Sequence, residues 1–326
     1  GLVGSEMCIR DSTLCIENSN TNMITLRQIN YALAVSQTLH FKKAAEQCYV
    51  SASTLSNAIT EMERQLGIKV FERNNKKVFI TKLGKTFLEK AQNVKINVDD
   101  INQLQKIDSA PLSSSLNVGI IPTVGPYLLP IILPELKIQY PKLKLNVIEA
   151  QSEVLIDKIH RGEIEMGILA LPFELKGLKS YKFWSEDLYW VSLKKDKRSL
   201  KKQIKAKDLE LNELILLEEG NCLKDHILKA CKINNSNAPS IKATSMSTLI
   251  ELVKGGMGTT LIPEMAIHDL LKTNPDLSKT HLAEKGPHRE IALITRSTYT
   301  AIEDVIELKG YLNRRMEDKK NRLSVQ

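Results

Sequence analysis

Residues 41–67 read FKKAAEQCYVSASTLSNAITEMERQLG, and their spacing decides the fold of the first domain. Residues 41–48 make a short helix with Ala44, Ala45 and Cys48 turned inward, which makes Cys48 a packing residue. Val50-Ser-Ala-Ser53 is a tight connection. Leu55, Ile59, Met62 and Leu66 then recur at i, i+4, i+7 and i+11, one face of a second helix closing at Gly67. Small side chains at 44 and 45 let the two helices cross closely. Ser51, Ser53, Thr54, Ser56 and Asn57 crowd the start of the second helix. One serine suffices for a cap; the cluster suits a helix end that meets base edges and phosphates. Downstream, Lys76-Lys77 followed by 78–81 (VFIT) reads as a basic β-wing, and with Arg73 supplies candidate backbone contacts.

Charge agrees with that reading. Residues 23–90 hold eleven Lys+Arg against five acids, +6 of the +8 carried by all 326 residues. A solvated lysine-rich face would look the same, so charge alone does not separate the two. Phe87, Ala91, Val94, Val98 and Ile101 follow at spacings of 4, 3, 4 and 3, a two-heptad coiled-coil seam. Burial against its own chain is the other way to satisfy that seam. Upstream, residues 1–22, with Cys8 and Cys15, have neither a signal-peptide core nor an amphipathic pattern. They read as an artefactual or disordered leader, with Met23 as the start.

Apolar content of 42% and charged content of 26% are ordinary for a globular chain. The apolar run 127–133 is short and bounded by Pro134, so no membrane span is expected. Pro111-Leu-Ser-Ser-Ser115 is a linker by composition. Beyond it strands at 116–121, 143–148 and 166–169 alternate with helices at 127–140 and 153–161. A second block has strands at 188–193, 214–217, 241–243 and 259–262, with helices after Asn221, Ser245 and Pro263. A strand at 291–295 and a helix from 300 close the chain. Two such blocks imply two doubly wound α/β subdomains with a crevice between them. The expected organisation is therefore leader 1–22, winged helix-turn-helix 23–82, linker helix 83–110 and effector domain 111–326. Within the last, subdomain I takes 111–186 and 290–326, and subdomain II takes 187–289.

Cys222 and Cys231 lie nine residues apart on a segment that looks helical after Gly220-Asn221. A helix amino terminus and Lys224 would favour the Cys222 thiolate, making it the better nucleophile. On a continuous helix nine residues rise about 13.5 Å and turn the pair to opposite faces. A disulfide needs Cα atoms roughly 4.4–6.8 Å apart, so bridging them requires unwinding. Two buried structural thiols, a redox pair, and a metal site using Asp225 and His226 are all open at this level, although the spacing fits no common zinc pattern. His226 and the other five histidines show no ligand spacing and are expected to face solvent or backbone.

Leu26, Phe41, Ala44-Ala45, Ser51-x-x-Thr54-Leu55-Ser56, Ile59, Glu63, Leu66-Gly67, Val70-Phe71-Glu72-Arg73, Thr81 and Gly84 together resemble the DNA-binding domain of LysR-type transcriptional regulators. Ser53 departs from the family's usual proline, and Thr60-Glu61 from a commonly basic position, which leaves the operator sequence open. From residue 118 onward, Val118-Gly-Ile-Ile-Pro-Thr-Val-Gly-Pro-Tyr-Leu-Leu-Pro130, Glu149-Ala-Gln-Ser152, Glu218-x-Gly-x-Cys222-Leu-x-Asp225 and Ala243-Thr-Ser-x-x-Thr-Leu249 are similar to the OxyR-like, peroxide-sensing branch. The resemblance implies a periplasmic-binding-protein-like effector domain in which Cys222 is peroxidatic and Cys231 resolving. It implies that Thr123 helps hold the peroxide, that Asp225 assists proton transfer, that Arg296 neighbours the pocket, and that the hydroxyl of the Glu149-Ala-Gln loop is Ser152, where Thr is the commoner choice. Asn221 stands where many members have a titratable histidine. The implied partners are double-stranded promoter DNA, a second copy through the linker helix and a homotetramer overall, RNA polymerase, and hydrogen peroxide as signal. The implied setting is the bacterial cytoplasm and nucleoid, with oxidative-stress genes activated.

The rival readings are a LysR-type regulator of a small metabolite bound between the subdomains, and a thiol peroxidase. The chain shows no P-loop, dinucleotide fingerprint, catalytic triad order or metal cluster, and no cofactor is expected. An enzyme is therefore disfavoured.

Overall fold

The computed structural model describes residues 23–74, 77–102, 110–233 and 241–324. The expected leader and Lys76 lie outside the described residues. The chain divides into two compact units, 1–98 and 99–326.

The first unit runs α1 (Leu26–Thr38), α2 (Phe41–Gln47), α3 (Ala52–Leu66), β1 (Phe71–Asn74), β2 (Lys77–Ile80) and the start of α4 (Lys82–Asn102). Thr25 and Gln28 close a capping box on α1. Ser51 caps α3 through Thr54 N, and Gly67, at φ +65°, ends it in the left-handed region. The anticipated face is the core: Ala44, Ala45, Leu55, Ile59 and Met62 are buried against Ala32 and Val35. Cys48 is half-buried beside them. Buried Glu63 locks the hairpin to α3, its carboxylate accepting from Val70 N and Phe71 N, each at 2.9 Å. Gly84 is required because a Cβ there would collide with the Val70 carbonyl oxygen. The α4 seam divides. Phe87 and Ala91 pack on this core, whereas Val94 and Ile101 are exposed.

The second unit begins with β3 (Ser115–Ile120), α5 (Gly125–Gln139), β4 (Lys144–Glu149), α6 (Ser152–His160), β5 (Met166–Leu171) and β6 (Lys179–Glu186). It continues through β7 (Leu188–Leu193), β8 (Gln203–Ile204), β9 (Leu216–Leu217), α7 (Cys222–Ala230), β10 (Lys242–Ala243), α8 (Met246–Lys254) and β11 (Thr260–Pro263). Then come α9 (Glu264–Lys272), β12 (Leu277–Leu282), β13 (Arg289–Thr295) and α10 (Ile302–Ser324). One five-stranded sheet has the order β4-β3-β5-β13-β6, and one four-stranded sheet the order β11-β7-β12-β8, with β9 and β10 pairing separately. The sheets are mixed rather than wholly parallel, because β13 runs antiparallel to both β5 and β6. Strands β6, β8 and β12 are absent from the sequence reading. β6 is an edge strand whose polar residues break the apolar run, and β8 has only two residues.

The chain crosses between the sheets at β6–β7 and again at β12–β13. Register pairs Arg289 with Glu186 at that double crossing. This pairing positions the site.

Candidate cysteine centre and DNA-binding face

Cys222 is the first residue of α7 and is buried; Cys231 caps the other end of the helix and is also buried, and both thiols are free. The helix between them is continuous, so the separation foreseen from spacing holds. Gly220, at φ +88°, makes the turn into α7 and lies against the Gln151 amide, where a Cβ would collide. That close approach brings the 149–152 loop to the cysteine. Ser152, buried at the start of α6, sits near enough to Cys222 for its hydroxyl to lower the thiol pKa, although Ser152 Oγ has no partner of normal hydrogen-bond geometry among the described residues.

The cation at this centre is Arg289, not Arg296 or Lys224. Arg289 is 1% exposed. Its Nε donates to Glu186 Oε1 at 2.6 Å, Nη1 to Thr123 Oγ1 at 3.2 Å and Nη2 to Thr123 O at 3.2 Å. Glu186 Oε2 in turn accepts from Met265 N at 2.7 Å. Arg296 instead holds Asp100 and the Ile159 carbonyl. Lys224 faces Glu219 at 3.5 Å. Asp225 is exposed on α7, and its charge raises the Cys222 pKa. Asn221 turns its amide back to Glu218 O at 3.2 Å and makes no side-chain cap.

Electrostatics correct one expectation. Burial raises the Cys222 pKa above that of an ordinary thiol, opposed by Arg289 and Ser152. Desolvation of the thiolate outweighs the helix terminus, so this reduced conformation stores a thiol. Burial, with Glu284 nearby, pushes Cys231 up to about 12. His226, one turn after Cys222, is buried with Nε2 3.0 Å from Pro172 O. A carbonyl only accepts, so Nε2 carries the proton and Nδ1 is a bare acceptor, buried without a partner among the described residues. Burial and Arg289 lower its pKa to about 4. Among the described residues no His, Cys, Asp and Glu group could hold a metal.

Sequence reasoning missed Arg289 and Glu186, whereas His226 faces backbone as expected. The available signal was Gly286-Pro-His-Arg289, a charge placed at the mouth of the apolar strand 291–294. Its partner lay in the unanticipated β6.

On the first unit, Ser53 and Asn57 are exposed at the start of α3, as is Lys77 in the hairpin. Ser51 is engaged with Thr54 and Ser53. Arg73 lies 3.6 Å from the Phe41 ring centroid and donates to Ser56 Oγ at 3.1 Å, which ties the hairpin to α3.

Residues 26–85 match the bacterial regulatory helix-turn-helix protein, lysR family, and residues 109–316 match the LysR substrate binding domain. The chain belongs to the LysR family. LysR-type proteins are transcriptional regulators rather than enzymes, and the helix-turn-helix makes this one a DNA-binding protein. This LysR-type chain is 42% identical to the HTH-type transcriptional regulator EstR of Acinetobacter baylyi over 84% of this chain and 91% of that one. It is 32% identical to the DNA-binding transcriptional dual regulator OxyR of Escherichia coli K12, over 75% and 80% respectively. A full-length OxyR variant of Pseudomonas aeruginosa superposes with TM-score 0.72 at 28% identity, covering 89% of this chain and 98% of the other. The hydrogen-peroxide-bound form of an OxyR cysteine variant from Corynebacterium glutamicum gives 0.62 at 29%, covering 91% and 94%. No helix among the described residues is long and apolar enough to cross a membrane.

Proposed function

We propose that this LysR-type regulator senses hydrogen peroxide through Cys222 and Cys231. One observation carries the reading: a buried arginine, Arg289, holds Thr123 and acts electrostatically on a buried cysteine that opens a helix ending in the second cysteine. Likeness to OxyR proteins supports it.

Arg289 and the Thr123 and Ser152 hydroxyls are the groups that would orient peroxide. The Cys222 thiol loses its proton as its sulfur attacks one peroxide oxygen. The O–O bond breaks, and the leaving oxygen departs as water after taking a proton. Cys222 becomes a sulfenic acid. Cys231 sulfur then attacks the sulfenic sulfur, its proton leaves with the displaced hydroxyl as a second water, and the S–S bond forms. Two thiols are oxidised and one peroxide is reduced to two waters. Because α7 separates the sulfurs, the second step unwinds the helix and alters DNA contacts. The wider proposal has dimers joined through α4, assembling into tetramers and recruiting RNA polymerase to oxidative-stress promoters in the bacterial cytoplasm and nucleoid.

The test is one equivalent of peroxide on the reduced protein, followed by non-reducing peptide mass spectrometry and a DNA footprint. A Cys222–Cys231 linked peptide and a changed footprint are expected. A Cys222→Ser protein whose footprint still responds to peroxide as wild type would overturn the reading.

A further inference from the structure

Outside the helix-turn-helix, positive charge collects at one place. Residues 194–208, from the end of β7 past β8, hold eight Lys+Arg against two acids. That excess matches the one carried by residues 23–90, so the rest of the chain is net negative. Lys194, Lys195, Lys197, Lys202, Lys205 and Lys207 are all exposed and pair with no carboxylate among the described residues. The acids nearby are committed elsewhere. Half-buried Arg198 draws in Asp196 at 2.7 Å, Glu213 at 2.9 Å and Glu210 at 3.3 Å, and lies 5.1 Å from the Trp190 ring centroid. Asp208 faces Lys201 at 3.5 Å, and Glu284 accepts from Ala206 N at 2.8 Å. One arginine thus gathers three carboxylates and fixes the segment, while the six lysines stay in solvent.

These lysines are laid out along a line. β8 is the edge strand of the four-stranded sheet and pairs parallel with β12. Lys194 N donates to Asp276 O, just before β12, and Ala283 N, just after it, donates to Ile204 O, each at 2.8 Å. The segment therefore runs from one end of β12 to the other, roughly 20 Å at about 3.3 Å per residue. A duplex of that length presents about six phosphates per strand. Guarding a sheet edge against another chain asks for less, since β8 has only two residues and a lysine or two suffices. Ammonium groups on flexible stems suit a phosphate backbone of any sequence, whereas the one arginine here, the side chain that reads guanine edges, is held by carboxylates. Residues 194–208 contain no aromatic side chain on which the bases of a single strand could stack.

We propose that residues 194–207 form a second, sequence-independent contact with double-stranded DNA, made by the effector unit on backbone flanking the stretch that the helix-turn-helix reads. A duplex already held by the helix-turn-helix is tethered, so its effective concentration at a second surface of the same molecule is high, and individually weak phosphate contacts count. Such a contact adds affinity and lengthens the DNA covered without adding base preference. It draws on none of the residues of the cysteine centre.

The experiment uses the reduced full-length protein and a random-sequence duplex of about 60 bp, which suffices because the contact reads no bases. Trace acetylation of lysines, followed by peptide mass spectrometry, is expected to label the lysines of 194–207 at least about three-fold more slowly when the duplex is bound. Anisotropy titrations across salt then compare wild type with Lys194→Gln/Lys195→Gln/Lys202→Gln/Lys205→Gln. That variant is expected to bind about ten-fold more weakly near 0.1 M salt, with the slope of log K against log[salt] shallower by roughly 2–4. Lys142→Gln/Lys144→Gln/Lys176→Gln/Lys179→Gln removes the same charge from exposed positions around the five-stranded sheet and is expected to stay within about two-fold of wild type. Unchanged labelling of 194–207 on DNA, an unchanged salt slope, or an equal loss in the second variant overturns the contact. The labelling arm needs no substitution, so a variant that misfolds leaves the test intact. Neither arm uses peroxide, so the outcome is independent of the sensor reading.

Discussion

Glu186→Gln probes the centre most directly. Glu186 and Arg289 are buried, and the carboxylate accepts from two donors at once, Arg289 Nε at 2.6 Å and Met265 N at 2.7 Å. A glutamine matches the shape but has one oxygen. Its NH₂ must face one of those donors, which leaves a buried N–H without an acceptor, at about 1–3 kcal/mol. Arg289 also loses its counter-charge; breaking a buried pair from one side costs about 3–5 kcal/mol, and the retained hydrogen bond places this variant near 3 kcal/mol. For a unit of this size that lowers Tm by roughly 6–12 °C. The same change should make Cys222 more acidic. Desolvation raises its pKa while Arg289 lowers it, and in the variant Arg289 loses the Glu186 carboxylate that balances its charge. Differential scanning calorimetry reads the first effect. Alkylation rates of the Cys222 peptide across pH, followed by mass spectrometry, read the second and return the pKa irrespective of accessibility. A variant that melts within about 1 °C of wild type, with an unmoved or higher Cys222 pKa, would refute the assigned network.

Three further outcomes are expected. His226 is held near pKa 4 against 6.5 for the free side chain, so as pH falls from 6.5 toward 4 the unfolded chain takes a proton that the folded one refuses. Stability present above pH 6.5 is then lost by up to about 3 kcal/mol, and His226→Gln should flatten that acid limb in urea melts; identical limbs would contradict the assignment. Gly84→Ala drives a Cβ into the Val70 carbonyl and should destabilise the first unit by more than about 2 kcal/mol, read by denaturant unfolding of the full chain, with an unchanged midpoint as the refuting result. Lys77→Ala should weaken binding to operator and random DNA about equally and reduce the salt slope of log K by about 1; an unchanged slope would remove Lys77 from the phosphate contacts.

Much of this was legible beforehand because it is local. Helix α3 announces itself through Leu55, Ile59 and Met62 and through Gly67, and the cysteine spacing on α7 follows from helical pitch alone. What escaped depends on strands pairing across more than a hundred residues. Arg289 looks like any surface arginine until β13 pairs with β6, a strand whose polar residues hide it. The same blindness favoured Arg296, seven residues further along the same strand and its exit, which holds Asp100 instead. The thiol's acidity was misjudged for a related reason. A helix terminus can be read from Gly220-Asn221, but the desolvation that outweighs it comes from burial contributed by distant segments.

The unbroken α7 has one more consequence. On the proposed chemistry, every hydrogen bond between its ends opposes the second step, so the helix is a brake on oxidation as much as a scaffold. Leu223, Ile227 and Leu228 are buried along it and are not among the groups proposed to meet the peroxide. Exchanging such residues for ones that loosen or stiffen the helix would move the alarm threshold without altering a single group that meets the peroxide. Sensitivity could then drift between relatives while the reacting residues stay the same.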